Sequence, residues 1–338
     1  MRRILLIAFA VAAPCITAAQ AADPVVAKII DTHILPRFET LAQSSGQLAD
    51  AAATDCTPKS ETLRAAYGRA FDAWVAVSHL RFGPTETNDR AFALAFWPDS
   101  RGVTPRTLAS LITDQDPVIA TPQEFSQVSI AGRGFYAMEF LLYDDTISTA
   151  GDAAYHCALV QAVATDIAAT SAEILADWQG DYAARLLNPS PNGTYRSQEE
   201  TVQELFKALT TGLEFTSDTR LGRPLGSFDK PRPTRAEVWR SGRSVRHVKI
   251  SLESLENLML LLVGDNADLA ARSKHAFETT LSKLGILNDP VFAGVTDPQT
   301  RLKIEVVQQS VDAIRDIARQ ELGPELGVAA GFNALDGD

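Results

Sequence analysis

A tyrosine and a glutamate lie three residues apart in an otherwise apolar stretch, residues 134–143. If that stretch is helical, Tyr136 and Glu139 share one face, because positions i and i+3 are neighbours on a helix. A carboxylate is costly to bury without a partner, so Glu139 requires an arginine, a hydroxyl group, a water molecule or a metal ion. The pattern therefore fits either a structural contact inside a helical bundle or a ligand site with Tyr136 and Glu139 as candidate metal ligands.

Two glycines come just before this pair. Gly132 and Gly134 permit a sharp turn into the helix and a close backbone approach. They favour an accessible position over a packed core, so we expect Glu139→Ala to change the stability little. Residues 132–137 also match a G-x-G-x-x-A dinucleotide-binding pattern, but that pattern requires a preceding strand, and the flanking sequence is helical.

A cluster of basic residues occurs in the second half of the chain. Arg240, Arg243, Arg246 and His247 follow one another at intervals of one to three residues and would form a stripe on a helix. Two interpretations are equally open. The stripe pairs with glutamates, or it forms a carboxylate-binding site that approaches Glu139 across the chain.

The other histidines give weaker signals. His275 and Glu278 form an H-x-x-E pair, but their basic neighbours indicate a solvated helix face. His79 is the histidine best placed to approach a cleft, although we favour a helix-end histidine with a hydrogen-bond partner. His33 and His156 show no metal-ligand spacing.

The composition bounds the class of protein. Of its 338 residues, 46% are hydrophobic and 22% are charged, a balance typical of folded globular proteins. The 31 basic and 42 acidic residues give a net charge of −11. Such a surface repels phosphate backbones, so nucleic acid is excluded as a partner.

The N-terminus has the features of a secretory signal peptide. Two arginines precede an apolar run over residues 4–13, and an A-x-A pattern ends at Ala21. We therefore expect residues 1–22 to be removed by cleavage near Ala21 or Ala22. The apolar run is too short to span a membrane, and we expect no transmembrane segment in the mature chain. The predicted location is the periplasm.

Two cysteines remain after removal of the signal peptide, Cys56 and Cys157. An even number of cysteines in an oxidising compartment favours a disulfide between them. Two separate buried thiols are the alternative.

The hydrophobic periodicity is helical nearly throughout, and no segment has the alternation typical of strands. Capping residues, prolines and glycines mark the ends of the predicted helices. We place these helices at 24–53 with a kink near Pro36, from Thr57 and Pro58 to about 82, from Thr104 to about 116, from Thr121, from Gly134, at 151–187 with a break near Gly180, from Ser197 to Leu221, from Thr234 to Val263, at 267–284, and from Asp297 to Leu322.

Residues 188–193, which are rich in proline, asparagine and serine, form the clearest predicted linker. They separate an N-terminal helical bundle, residues 23–190, from a C-terminal bundle, residues 191–338. The predicted fold class is all-α, with two helical bundles and a cleft between them. Trp74 and Trp239 each fall in a predicted helix, which leaves a duplication and a coincidence equally open.

Several stretches in the same order resemble the imelysin-like family. Residues 133–142 align with its motif R-G-x-H-A-x-E-x-L-L, except that Tyr136 stands where the family has histidine. The other similar stretches are residues 71–74, 80–84, 96–99 and 238–244. The resemblance covers most of the mature chain.

The resemblance implies an exported two-domain helical protein with a functional cleft, linked to bacterial iron acquisition. It implies iron or another divalent metal ion, or a small molecule, as the candidate ligand. An outer-membrane or periplasmic iron-uptake protein is the candidate partner. The motifs carry over a set of cleft residues, which are Arg81, Asp99, Arg133, Gly134, Tyr136, Glu139, Trp239, Arg240 and Arg243.

The tyrosine at position 136 bears on the activity. A phenol with a pKa near 10 is a poor zinc ligand at neutral pH, although a phenolate can bind ferric iron. We therefore expect a non-enzymatic binding protein. A metallopeptidase that uses the same cleft and an interaction scaffold without a ligand are the alternatives.

Overall fold

The structure, a computed structural model, describes residues 23–328. Within this range the regular elements are helices and no strand forms, which confirms the predicted all-α fold class. The predicted signal peptide, residues 1–22 with cleavage near Ala21 or Ala22, lies outside the described residues.

The helices of the first half are α1 (Pro24–Ile29), α2 (Leu35–Thr54), α3 (Glu61–Val75), α4 (Arg90–Leu94), α5 (Val103–Asp114), α6 (Pro122–Phe125), α7 (Gly134–Tyr143), α8 (Ala153–Asp177) and α9 (Ala183–Leu187). Two π-helical segments, Ile30–Ile34 and Trp178–Tyr182, join α1 to α2 and α8 to α9. The first segment ends two residues before Pro36 and the second contains Gly180, the places where a kink and a break were predicted.

The helices of the second half are α10 (Gln198–Glu214), α11 (Gly222–Leu225), α12 (Ser244–Val263), α13 (Ala267–Gly285), α14 (Pro298–Ile317) and α15 (Gly323–Glu325). The π-helical segments Phe215–Leu221 and Ala318–Leu322 continue α10 and α14. Three predicted N-caps are confirmed, because the side chains of Thr121, Ser197 and Asp297 each accept a backbone N–H from the third residue of their helix.

The predicted start of the second long helix is wrong. The Asp55 carboxylate accepts hydrogen bonds from the backbone and hydroxyl of Thr57, at 3.0 and 2.7 Å. Thr57 is therefore part of a turn and does not cap a helix. The helix α3 begins four residues later, where Ser60 is the N-cap.

The predicted helix from Thr234 to Val263 is also wrong in its first part. The backbone φ angles of Val238 and Gly242 are positive, at 47° and 74°, and cannot continue a right-handed helix. A turn therefore precedes α12, and it contains Trp239 and Arg240. Trp239 therefore does not lie in a helix, whereas Trp74 does. The basic cluster does not form a stripe on one helix.

The helices pack around one continuous hydrophobic core. In the first half α2 packs against α3 and α8, and α7 packs against α8. In the second half α13 packs against α12 and α14, and α10 packs against α12. The helix α12 also contacts α1 and α3, so it joins the two halves. The division into bundles at residues 190 and 191 stays a prediction.

The disulfide prediction is confirmed. Cys56 and Cys157 are bonded, with their Cα atoms 5.1 Å apart. The bridge ties the segment after α2 to the first turns of α8. The disulfide therefore closes a loop that contains most of the first half of the chain.

One helical region of the described residues, Ala153–Leu187, is long and apolar enough to cross a membrane by these two criteria alone. Half of the most apolar stretch of this region is buried inside the protein, mainly against α2 and α7. The core helix of a soluble protein has the same properties. The expectation of a mature chain without a transmembrane segment stays a prediction.

Candidate functional site

A cavity of about 560 Å³ opens between helices from both halves of the chain. This volume lies in the range of small-molecule sites. Aromatic side chains form much of its wall, namely Trp74, Phe82, Trp97, Tyr136 and Phe215. Charged side chains also line it, namely Arg81, Glu204, Lys207, Glu214 and Asp218. The cavity therefore combines stacking surfaces with charges of both signs.

Three buried polar residues lie at one side of the cavity, and we call Tyr136, Arg220 and Glu237 the polar floor. The Tyr136 hydroxyl donates to Glu237 Oε1 at 2.5 Å. The Arg220 Nε donates to Glu237 Oε2 at 2.7 Å. The side chains of Arg220 and Glu237 are only 4% and 2% exposed. Each carboxylate oxygen thus has its own donor.

The elements around the polar floor hold Arg220 in place. Arg220 belongs to the π-helical segment Phe215–Leu221, and such segments are frequent at functional sites. Its Nη1 donates to Ser251 Oγ on α12 at 3.2 Å, and its Nη2 donates to Ser78 Oγ beyond α3 at 3.3 Å. The guanidinium therefore links three chain segments below the cavity.

The environment sets the charges of the polar floor. Burial opposes the ionisation of Glu237, but the Arg220 charge, His247 and the Tyr136 hydrogen bond together outweigh it and hold the pKa of Glu237 well below its usual range. Burial and then the Glu237 carboxylate raise the pKa of Tyr136 well above its usual value. Tyr136 is therefore a neutral hydrogen-bond donor, which disfavours a role as a phenolate ligand of iron.

His247 lies beside the polar floor. Its Nδ1 is 3.4 Å from Glu237 Oε2, but the two atoms are not aligned for a hydrogen bond. The ring packs edge-on against Phe71, with the centroids 4.6 Å apart. Burial lowers the pKa of His247, so the imidazole is neutral at neutral pH.

The polar floor does not fit the metal ion that the family resemblance implies. Within residues 23–328, no group of three or more His, Cys, Asp or Glu side chains is arranged to hold a metal ion. Glu237 is engaged by Arg220, whose positive charge opposes a second cation at the same carboxylate.

Among the residues predicted for the cleft, Arg81 and Tyr136 line the cavity. Gly134 lies in the core, where a Cβ atom would come within 2.2 Å of the Ala93 carbonyl oxygen. The other predicted residues make contacts of their own. Three arginines form ion pairs, Arg133 with Asp166, Arg240 with Asp144 and Arg243 with Asp72. Asp99 accepts hydrogen bonds from the backbone of Arg101 and Thr104, Glu139 accepts from Ser241, and the Arg240 guanidinium lies over the Trp239 ring.

Glu139 is buried, so the expectation of an accessible helix start was wrong. The residue is 2% exposed, and one carboxylate oxygen accepts hydrogen bonds from Ser241 N and Oγ at 2.9 and 2.8 Å. Burial raises its pKa to about 7, although the Ser241 hydrogen bonds oppose the shift. The hydrogen-bond partners of this carboxyl group are a hydroxyl and a backbone amide, and neither of them is charged.

We expect Glu139→Gln to remove a pH dependence of stability. The pKa of Glu139 rises from 4.5 to about 7 on folding. The raised pKa therefore contributes fully to the free energy of unfolding below pH 4.5, and this contribution is lost as the pH rises through about 7. A permanently neutral amide avoids that loss, so the variant gains up to about 3 kcal/mol relative to the wild type between pH 4.5 and pH 8.

Urea denaturation of both proteins at pH 5 and pH 8 checks this expectation. The exposed Glu278→Gln substitution is the matched control and should leave the pH dependence of the wild type unchanged. Identical pH dependence of Glu139→Gln and the wild type would show that the carboxyl is ionised in the folded protein.

Sequence reasoning missed two members of the polar floor. Glu237 lies between apolar residues, Ala236 and Val238, and the argument used for Glu139 would have found it. Arg220 lies in an ordinary polar stretch and carries no comparable signal. Its role depends on the π-helical segment and on partners far away in the sequence.

Comparisons with known proteins agree with the fold. The Imelysin family model matches residues 34–318. The crystal structure of an imelysin-like protein from Psychrobacter arcticum 273-4 superposes with a TM-score of 0.77 at 20% identity, covering 93% of this chain and 100% of that chain. An iron-regulated protein A precursor from Parabacteroides distasonis ATCC 8503 gives a TM-score of 0.70 at 14% identity, covering 88% and 94%. No match was found among curated protein sequences.

Proposed function

Because the chain belongs to the imelysin family, we propose that it is an exported, periplasmic binding protein that holds a small ligand in the cavity and serves iron acquisition. The observation that carries this proposal is the cavity itself, which has the volume of a small-molecule site and walls from both halves of the chain. The disulfide between Cys56 and Cys157 supports export, since such bonds persist in oxidising compartments.

We propose that the ligand is an iron chelate, in which an organic molecule already coordinates the iron. The polar floor supplies no set of three metal ligands, so the protein would recognise the organic part. Trp97 stacks on Tyr136 with the ring centroids 6.0 Å apart, and Phe215 meets Trp97 edge-on at 5.8 Å. These rings form an aromatic wall against which the organic part of a chelate can pack, and Lys207 places a positive charge at the cavity. The similar iron-regulated protein A precursor supports the link to iron.

The same geometry favours binding over hydrolysis. A zinc peptidase requires three protein ligands and a metal-activated water molecule. At the polar floor the charge of Arg220 already neutralises Glu237, and Tyr136 replaces the histidine of the family motif. We therefore propose that the chain has no peptidase activity. An outer-membrane or periplasmic iron-uptake protein remains the proposed partner.

Filling the cavity should weaken chelate binding. Thr211 lines the cavity from α10, whereas Gln203, about two turns earlier on the same helix, is not a lining residue. Calorimetric titration with ferric citrate and with a ferric catecholate complex should show saturable binding of at least one of them to the wild type. We expect Thr211→Trp to weaken this binding at least tenfold, because the indole occupies the space of the ligand.

The matched control is Gln203→Trp, which adds the same side chain outside the cavity and should bind like the wild type. Equal affinity of the two variants would contradict binding in the cavity. If the wild type binds neither chelate and does not cleave casein, the interaction scaffold is favoured, whereas zinc-dependent cleavage would favour the metallopeptidase.

A further inference from the structure

Basic side chains are concentrated in one short stretch of this acidic protein. Residues 222–235 contain Arg223, Lys230, Arg232 and Arg235, whereas Asp229 is the only acidic residue among them. The chain as a whole has an excess of acidic residues, 42 against 31 basic ones. This stretch lies outside the polar floor, and the proposed iron-chelate site does not depend on it.

The backbone folds this stretch back on itself. Gly226 follows α11 with a φ angle of 56°, in a region that favours glycine. The Arg232 N–H then donates to the Pro224 carbonyl oxygen at 2.9 Å. The chain thereby returns to α11, and the short 3₁₀ helix Pro233–Arg235 packs against it. This return brings the end of the 3₁₀ helix close to Arg223, which belongs to α11.

The Arg223 guanidinium is partly buried and has no anionic partner. It lies over the ring of Trp97, with Cζ 5.6 Å from the ring centroid, and Trp97 is a wall residue of the cavity. Within residues 23–328 the guanidinium makes no hydrogen bond or ion pair, and its Nε is shielded from solvent. A buried donor without an acceptor costs free energy. Arg223 therefore has hydrogen-bonding capacity that the described part of the chain does not use.

Arg235 brings a second positive charge to the same place. This residue is exposed, and its side chain has no ion-pair partner within residues 23–328. Burial and then the charge of Arg235 lower the pKa of Arg223, and no carboxylate opposes the shift. Two like charges without a counterion repel each other. An anion bound by both guanidinium groups would relieve this repulsion.

The acidic residues nearest in the sequence do not neutralise this pair. Asp218 forms an ion pair with Arg315, at 3.2 Å. Asp229 lies in the exposed loop that follows Gly226, and it does not contribute to the pKa of Arg223. The two guanidinium groups are therefore available to an anion from solution.

We propose that Arg223 and Arg235 form a binding site for a small dianionic oxyanion, either a phosphate or a dicarboxylate. Each guanidinium is a planar fork whose N–H groups match the oxygens of a carboxylate or a phosphate group. The contact with Trp97 restricts the Arg223 side chain before binding, which reduces the entropy that binding costs. Lys230 and Arg232 add positive potential around the site.

Calorimetric titration of the full mature chain with sodium phosphate and, separately, with succinate tests the proposal. At least one of the two anions should bind with one-to-one stoichiometry, and the tighter one identifies the class of oxyanion. The affinity should fall as the concentration of sodium chloride rises, because salt screens exposed charges. An absence of saturable binding for both anions would overturn the proposal.

The decisive variant is Arg235→Gln, because this side chain is exposed and its loss leaves no buried group without a partner. We expect Arg235→Gln and Arg223→Gln each to weaken anion binding at least tenfold. The matched control is Arg69→Gln, which removes an exposed arginine of α3 and should bind like the wild type. Wild-type affinity in Arg235→Gln would contradict the proposed site.

The variant Thr211→Trp separates this site from the chelate site. It fills the cavity but leaves both guanidinium groups in place, so it should bind the anion like the wild type. Loss of anion binding in this variant would place the anion inside the cavity and overturn the site at Arg223 and Arg235. Failure of chelate binding in the wild type would leave the predicted anion binding unchanged.

Discussion

Removal of the disulfide by the double substitution Cys56→Ala and Cys157→Ala is expected to lower the free energy of unfolding by about 4–5 kcal/mol. The two cysteines are separated by 101 residues in the sequence. A cross-link over such a distance removes many conformations from the unfolded chain, and the loss of entropy grows with the length of the loop. The native Cα separation of 5.1 Å is ordinary for a disulfide.

Urea denaturation without reductant measures this effect. The wild type treated with a reductant is the matched comparison, and it should lose nearly the same stability as the double variant. Non-reducing mass spectrometry of the exported protein should find no free thiol. A difference below 1 kcal/mol between the wild type and the double variant would show that the cross-link does not restrict the unfolded chain as expected.

Glu237→Ala is expected to lower the free energy of unfolding by about 3–5 kcal/mol, because it leaves the Arg220 charge buried without its partner. The two side chains are 2% and 4% exposed, so solvent cannot replace the lost contact. Tyr136 also loses the acceptor of its hydroxyl group. The polar floor would then contain an unpaired cation and an unpaired donor.

A double replacement separates the loss of the pair from the cost of an unpaired charge. Arg220→Met with Glu237→Leu replaces both charges by apolar side chains, and it should recover most of the lost stability. The exposed pair Lys249 and Glu253 provides the control, since Glu253→Ala should have little effect. If the double variant is as unstable as Glu237→Ala, then the single loss does not come from a stranded charge.

Much of the fold was predictable from local patterns. The starts of α6, α10 and α14 follow from capping residues that bind the backbone next to them in the sequence. The helix α7 follows from an apolar run after a glycine, and Gly134 itself is required by the close approach of Ala93. Such features depend on neighbours in the chain, which the sequence displays directly.

The features that were missed depend on distant contacts. The turn before α12 was not predicted, because Val238 adopts a positive φ angle that its residue type rarely takes. This turn brings Ser241 to Glu139 and Glu237 to Tyr136. The pattern around Glu139 correctly required a partner, and a hydroxyl was among the partners considered, but the pattern could not identify Ser241.

The contacts of the basic cluster also depend on residues far away in the sequence. The spacing suggested one helix face, but the turn and the start of α12 send Arg240 to Asp144 and Arg243 to Asp72. Both aspartates belong to the first half of the chain, so these arginines hold the two halves together. The cavity is lined by residues from both halves of the chain and has no signature in any single segment.

The most direct test of chelate binding is anomalous diffraction at the iron edge from crystals of the wild type grown with a ferric catecholate complex. We predict an iron peak inside the cavity, with the chelator against Trp97 and Phe215 and with no protein atom bound to the metal. An iron atom coordinated directly by Glu237 or His247, or a peak only outside the cavity, would contradict the proposal that this chain binds iron as a chelate.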